Sequence, residues 1–383
     1  MREATGRAVL RTNPRPRCVV CGSEGRQLYE GVPDLMLGIA GRWRVVRCLG
    51  PECGTLWLDP APLQEDLPNA YQNYLTHDSG RPLLGAARRR DRVRAAVLAQ
   101  WLGYPAKVTV LDRLLARVAG WIPPLRQSVQ REVMFVPYRP GGRLLEIGCG
   151  NGRQLERLAQ AGWQVQGVDF DPRAVQTARS LGLPVALGDL AAQGFAAESF
   201  DAIVSSHVIE HVPDPVALLR ECRRLLKPDG ILVVMTPNAE AFGHRLYSAA
   251  WVGLDPPRHL YVFSAWALVR MARQASLEPT ALHSRWIAAA GWFLASRMRA
   301  RAAVEGSFTA LPGPEMRFPL RYWLLAALEA LSCALGRPWG EELVLVARPA
   351  AVEPDSEPRG CRGHGQRAET AAQRVDNRPC DVA

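Results

Sequence analysis

Three groups of side chains in this 383-residue chain have types and spacings suited to chemistry. The first is a pair of cysteine turns, Cys18-Val19-Val20-Cys21-Gly22 and Cys48-Leu49-Gly50-Pro51-Glu52-Cys53-Gly54. Each offers two thiolates on a tight turn, and together Cys18, Cys21, Cys48 and Cys53 make a tetrahedral S4 site suited to Zn²⁺. Four thiolates leave no open coordination position, so such a metal would fold its unit and would not catalyse. The plainer reading is four buried or free thiols in a small β-rich unit. The second group is the histidines His207, His211 and His259, since imidazole is the simplest base with a pKa near neutrality. The third is Glu146-Ile147-Gly148-Cys149-Gly150-Asn151-Gly152, an acid opening into alternating glycines, with another acid, Asp169, 17 residues past Gly152.

The elements that must position these groups are legible around the glycines. Leu144 to Ile147 is an apolar strand that stops at a turn, and a helix starting near Arg153 aims its N-terminus at whatever the turn holds. Gln164 to Asp169 is a second strand ending in an acid, at about the spacing where a carboxylate reaches the ribose hydroxyls of a bound adenosine. Charge selects among adenosine ligands. Glu146 would be a poor neighbour for the pyrophosphate of a dinucleotide, and suits S-adenosylmethionine, which carries an ammonium and a sulfonium. Further strands fall at Leu183 to Leu187, Phe200 to Ser206, Ile231 to Met235, Pro279 to Ser284 and Glu342 to Ala347. Helices are expected after Asp171-Pro172, from Pro213-Asp214-Pro215 to Lys227, and from Ala265 to Ala275.

On these residues the chain resembles the class I S-adenosylmethionine-dependent methyltransferases, from about Gly141 to Val346. The resemblance implies an α/β, Rossmann-like seven-stranded sheet. It implies cofactor contacts from Glu146, Gly148, Cys149, Gly150 and Gly152 in the loop, from Asp169 with Phe170 at the ribose, from Asp189 with Leu190 at the adenine, and from Ser206. Asp189 is otherwise a turn aspartate or helix cap. The segment Trp251 to Ser264 resembles its equivalent in bacterial small-molecule methyltransferases of the ubiquinone-biosynthesis type, and in those with an N-terminal zinc-binding unit. There, His259 and His207 are the candidate bases, Arg258 would hold an acid or phosphate, and His211 and Trp251 would contact the acceptor. His207 also reads as a pocket wall, and His211 as a helix cap. Glu210 could ligate a divalent metal, although no second carboxylate is obviously paired with it.

The domain reading is a disordered N-terminus (1–17), a zinc-ribbon-like unit (18–60), a helical connector or lid (61–140), a methyltransferase domain (141–348) with a helical insertion (286–340), and a disordered tail (349–383). Tyr71 to Tyr74 read as aromatic cover over a hinge or as ligand contacts, and helices between Leu83 and Val136 are expected over the mouth of the cofactor site. The charge of +10 is scattered among arginines, which fits solvated faces first and an anionic acceptor or membrane surface second. Nine cysteines, and no apolar core of signal-peptide type in Met1 to Arg17, fit a reducing, cytoplasmic setting. The apolar stretches Trp286 to Arg301 and Tyr322 to Leu335 are too short to span a bilayer. They read as an acceptor-side cap or homodimer surface, or as peripheral contact with the inner membrane surface.

The acceptor is expected to be a small molecule, saccharide or lipid-linked compound, methylated at oxygen, with carbon methylation of a sugar left open. A nucleic-acid acceptor is disfavoured, because Ser205-Ser206-His207 stands where base-amino methylases carry an Asn/Asp-Pro-Pro-aromatic signature. A non-catalytic scaffold would be marked by a degraded glycine loop, and the loop is intact.

Overall fold

The computed structural model describes residues 10–71, 89–285, 289–305 and 319–351. The chain begins with β1 (Thr12–Asn13) and the long hairpin β2 (Gly25–Pro33) and β3 (Arg42–Cys48), whose far ends carry the two cysteine turns. β4 (Leu56–Leu58) follows the second turn, and β5 (Ala61–Pro62) comes back to pair with β1. The segment before Cys18 was expected to be disordered, and from Leu10 onward it is ordered. Leu10 is buried, Arg11 pairs with Asp66 at 2.8 Å, and the Trp57 indole N–H donates to the Arg15 carbonyl at 2.8 Å. Its polar, Arg-rich composition is stabilised by partners about 40 to 55 residues away in sequence, which composition cannot reveal.

Helices α1 (Arg89–Leu102), α2 (Val110–Gly120) and α3 (Pro123–Gln130) form the connector and pack on one another. A capping box starts α2: Thr109 Oγ1 accepts the Asp112 N–H, and the Asp112 carboxylate accepts the Thr109 N–H. The connector meets the domain that follows through Tyr104, whose hydroxyl donates to Val136 O (3.0 Å) and accepts from the Trp163 indole (2.9 Å).

Strand and helix then alternate: β6 (Arg143–Ile147), α4 (Arg153–Gln160), β7 (Gln164–Asp169), α5 (Pro172–Ser180), β8 (Val185–Leu187), β9 (Phe200–Ser206), α6 (Pro215–Leu225) and β10 (Leu226–Pro237). After α7 (Phe242–Tyr247) come β11 (Tyr261–Val262), α8 (Ala265–Gln274), β12 (Leu277–Arg285), α9 (Ala289–Glu305), α10 (Leu320–Ala334) and β13 (Glu342–Pro349). The main sheet has the order β12-β13-β10-β9-β6-β7-β8, parallel from β8 to β10, with β13 antiparallel to both neighbours. This is the α/β sheet of seven strands that the sequence led us to expect, and the strands at its last edge pair despite the long insertion between them. Alternation along each strand serves two cores. Leu144, Ala202, Val204 and Val233 face Trp163 and the connector, while Leu145, Ile203, Val234 and Leu345 face α6 and α8.

The cysteine unit is not a separate bead, as the 18–60 boundary implied. Its sheet has the order β11-β4-β3-β2, so its edge strand comes from residues 261–262 of the later domain. Ser264, which caps α8, also donates its hydroxyl to Cys53 O (2.5 Å), and Cys18, Val20 and Trp57 share a core with α6 and α8. The tail beyond 351, and residues 72–74 of the aromatic connector, lie outside the described residues. Among the described residues, no helix is long and apolar enough to cross a membrane.

Candidate functional site

In an open parallel sheet the ligand crevice lies beyond the carboxyl ends of the strands. The loop from β6 to α4 sits there. Gly148, Gly150 and Gly152 have φ of 68°, 53° and 81°, where an L side chain is strained. Space enforces the same choice: a Cβ on Gly148 would stand 2.3 Å from Val208 Cγ2, and one on Gly152 2.6 Å from Leu183 Cδ1. At the end of β7, Asp169 clasps this loop, accepting the Gly150 N–H at 2.8 Å and the Asp171 N–H at 2.9 Å. Burial pushes its carboxyl above the usual range.

Glu146 lies beside it, 4% exposed, with Oε2 lacking any hydrogen-bond partner. Burial, reinforced by the charge of Asp169, raises its pKa to about 8. A buried carboxyl left unpaired is costly, and a bound cation would relieve that cost. The residues therefore fit the ammonium of S-adenosylmethionine and oppose a pyrophosphate. Phe170 is 48% exposed and meets the Tyr71 ring edge-on at 5.0 Å. Asp189 is exposed and accepts the Ala191 N–H at 3.0 Å, Leu190 is buried next to it, and Ser206 closes β9. Cys149 is buried, and burial raises its thiol pKa. All the expected cofactor residues thus line the carboxyl ends of β6, β7, β8 and β9.

The acceptor edge corrects several expectations. His207 Nδ1 and Nε2 both face carboxylates, Glu210 at 3.2 Å and Glu342 at 2.9 Å. Burial pulls its pKa down, but the hydrogen bonds and charges of those two acids outweigh it and hold the pKa at about 10. Such an imidazole stays cationic and cannot act as a base. Arg258 cannot hold an acceptor either. It is fully buried, donating to Asp255 (2.8 Å from Nε) and to Asp34 (2.7 and 3.0 Å). Trp251 is also core, with its indole N–H donated to Glu341 at 2.6 Å and its ring stacked on His244.

His211 and His259 are brought together, their rings 4.7 Å apart. His259 Nδ1 is 2.7 Å from Gly253 O, and His211 Nδ1 is 3.0 Å from Arg258 O. A carbonyl only accepts, so each Nδ1 carries a proton, and on the neutral ring of His259 the lone pair is left at Nε2. Burial, aided by His211, lowers the His259 pKa to about 4. Glu210, His211 and His259 each offer a ligand atom within 4.8 Å of the others. Imidazole and carboxylate together form a donor set suited to a divalent cation.

The four thiols lie close together, with Cys18 and Cys53 Sγ 3.7 Å apart and Cys21 and Cys48 Sγ 3.3 Å apart. Zinc–sulfur bonds of about 2.3 Å put the edges of an S4 tetrahedron at about 3.8 Å, so the set fits zinc. Gly22 and Gly54 take φ of 76° and 58°, as the turns require.

Sequence reasoning missed three residues of this edge. Tyr71 was read chiefly as hinge cover; its hydroxyl lies 2.9 Å from His211 Nδ1 while its ring meets Phe170, so it joins the two halves of the site. Asp34 and Glu342 are buried acids that each hold, besides nearer partners, one more than a hundred residues away, Arg258 and His207. An acid at the first residue of the last strand, which starts at the carboxyl edge, was the one available signal for Glu342.

A family described as "Methyltransferase domain" matches residues 119–282. The ubiquinone biosynthesis O-methyltransferase of Cereibacter sphaeroides is 36% identical over 151 residues, covering 36% of this chain and 61% of that protein. The protein of the same name from Xanthomonas oryzae pv. oryzae is 39% identical over 129 residues, covering 31% and 53%. The chain thus spans less than two thirds of the length of these curated relatives. Among solved structures, an S-adenosylmethionine dependent methyltransferase from Mesorhizobium loti is 17% identical, covering 60% of this chain and 97% of its own, with a TM-score of 0.39. A likeness at that score adds nothing to the topology described above.

Proposed function

We propose, from a chain that carries a class I S-adenosylmethionine-dependent methyltransferase domain, that it transfers a methyl group to an oxygen of a small-molecule, saccharide or lipid-linked acceptor. The observation that carries the cofactor in this reading is the buried Glu146, its Oε2 unpartnered, beside the glycine loop clasped by Asp169, and the oxygen acceptor is supported by the likeness to ubiquinone biosynthesis O-methyltransferases. S-adenosylmethionine supplies the methyl group when bound. This chain's residues do the rest: Glu146 holds the ammonium, Asp169 the ribose, and Phe170 with Asp189 and Leu190 the adenine. Methyl transfer from a sulfonium is an in-line displacement, so holding the acceptor oxygen close and excluding water supplies most of the rate. His259 Nε2 takes the acceptor proton, with Nδ1 anchored on Gly253 O. A structural zinc on Cys18, Cys21, Cys48 and Cys53 would fix β4, and through it the segment that carries His259.

His259→Ala is expected to leave S-adenosylmethionine binding intact and to lower turnover by about 10² to 10⁴-fold. Because burial keeps this base neutral until its pKa of about 4, turnover at saturating S-adenosylmethionine should hold as pH falls from about 8 to about 5 and drop below that. Unchanged turnover of His259→Ala on a true acceptor removes the assignment.

A second reading has an observation of its own, the cluster of Glu210, His211 and His259. In it, Glu210, His211 and His259 would hold a divalent cation, which would supply Lewis-acid lowering of the acceptor hydroxyl's pKa. Loss of activity in EDTA, with the thiol-bound zinc still present by metal analysis and activity restored by Mg²⁺ or Mn²⁺, would favour it.

A further inference from the structure

Helix α10 is apolar on both faces, with Tyr322 and Ala326 packed inward against α9. Glu329 is fully buried and accepts the Glu341 N–H at 3.0 Å, whereas Leu320, Leu324, Leu328, Leu331 and Leu335 are each more than half exposed. Spacings of three, four and seven residues put these leucines on one face. Helix α2 repeats the arrangement. Asp112 points inward and is 1% exposed, whereas Val110, Leu111, Leu114 and Val118 are more than half exposed, and Trp121 just beyond is 82% exposed. A monomer in water rarely shows contiguous apolar stripes of this kind.

Segments that adjoin the two helices meet the same edge strand of the main sheet. At the end of α10's connection to β13, the Gly340 N–H donates to Ser284 Oγ (2.7 Å) near the C-terminus of β12. On the other side, Phe135, just past α3, stacks on His283 of the same strand, and Arg126 of α3 acts on it electrostatically. The exposed charges on the two helices have one sign. Between Asp91 and Glu132 the sequence has seven basic residues and a single acid, the buried Asp112, with Arg92 paired to Asp112 and Arg94 to Glu132. Arg113 and Arg117 on α2, and Arg321 and Arg337 around α10, are exposed.

We infer that these two stripes seat the protein in the interface of an anionic lipid bilayer, leucines among the acyl chains and arginines at the headgroup phosphates. Apolar faces rimmed by cations are what an in-plane helix requires, and no described helix is long enough for the transmembrane alternative. A second copy of the chain fits less well, since pairing the same faces would set Arg113, Arg117 and Arg321 against their own kind. The inference goes beyond the transfer reaction and holds whether or not the acceptor is a lipid.

The test is flotation of the full-length protein with vesicles of phosphatidylcholine alone and with one third phosphatidylglycerol. The full-length protein is expected on the anionic vesicles, less so on the neutral ones, and to be partly released by salt. Leu324→Gln, Leu328→Gln and Leu331→Gln combined should lower the bound fraction at least about tenfold, with thermal unfolding and S-adenosylmethionine binding unchanged. Should that triple variant misfold, Arg113→Glu with Arg117→Glu must show the loss on anionic vesicles instead. Protein that stays in solution, variants that float like the wild type, or a dimer in equilibrium sedimentation that the leucine substitutions dissociate would each overturn the inference.

Discussion

The two halves of the site are built differently. Apart from Ser206, the cofactor half comes from one run of chain, residues 146–190, in which loop, strand end and turn follow one another and hydrogen-bond locally. The acceptor half is assembled from Asp34, Tyr71, Glu210 and His211, the Asp255 to His259 turn, and Glu342 at the start of the last strand. Its charges are buried and paired across 224 residues of sequence, as Asp34 and Arg258 show. Local geometry is dictated by local residue types, so the first half survives damage elsewhere. The second exists only while the cysteine unit, the connector and the main sheet are all in place.

Emptying the thiol site tests this difference most severely. A strong chelator under reducing conditions should unfold the hairpin between the cysteine turns, since structural zinc contributes about 10 kcal/mol or more in small zinc units. β11 would lose its partner β4, and Ser264 its contact with Cys53. Acceptor turnover should vanish while calorimetry still shows S-adenosylmethionine binding. If cofactor affinity falls in step, the halves are one cooperative unit and the distinction fails.

Asp34→Ala removes the ion pair with Arg258 together with the cap that Asp34 places on the Met36, Leu37 and Ile39 N–H groups. Arg258, fully buried, would keep Asp255 but lose its second carboxylate. Breaking a buried pair from one side costs about 3–5 kcal/mol, a large share of a domain's stability. The denaturant midpoint should fall accordingly, and turnover should fall with the displaced His259 turn. Cofactor affinity measured on the fraction still folded should not change.

The same difference decides what was legible in the sequence. The acid and alternating glycines, and the spacing to Asp169, specify a strand-turn-helix whose ligand side is forced by sterics. The seven-stranded sheet is there and that loop sits at its carboxyl edge, whereas the order of the strands and the meeting of His211 with His259 come from the structure alone. The losses concern burial. Arg258 and Trp251 look like acceptor contacts because Arg and Trp in a Pro-rich loop are usually half exposed; here Asp34 and Glu341 take them into the interior. His207 looks like a base until Glu342 is placed against it. A partner brought by a different strand leaves no trace in spacing, and the ordering of residues 10–17 by Trp57 and Asp66 was hidden for the same reason.

On the cofactor side, Asp169→Ala should release the Gly150 N–H and remove the proposed ribose anchor together. Hydrogen bonds to charged groups are worth about 1.5–3 kcal/mol, so S-adenosylmethionine should bind about ten- to a hundredfold more weakly. The KM for the acceptor should stay where it was; a parallel rise would show that the loop also shapes the acceptor half.

The smallest effect is a pH dependence, and it isolates one atom pair. With a pKa of about 8, Glu146 is mostly protonated at neutral pH before the cofactor binds. Pairing with an ammonium requires the carboxylate, so binding expels a proton. Affinity should therefore strengthen as pH rises toward about 8, by at most about tenfold per unit, or about 1.4 kcal/mol, and level off above it. Glu146→Gln cannot titrate, so its affinity should be weaker at high pH and lose this slope. A wild-type affinity flat from about pH 6 to about pH 9 would mean that Glu146 is already ionised in the free protein, held by some group other than the cofactor.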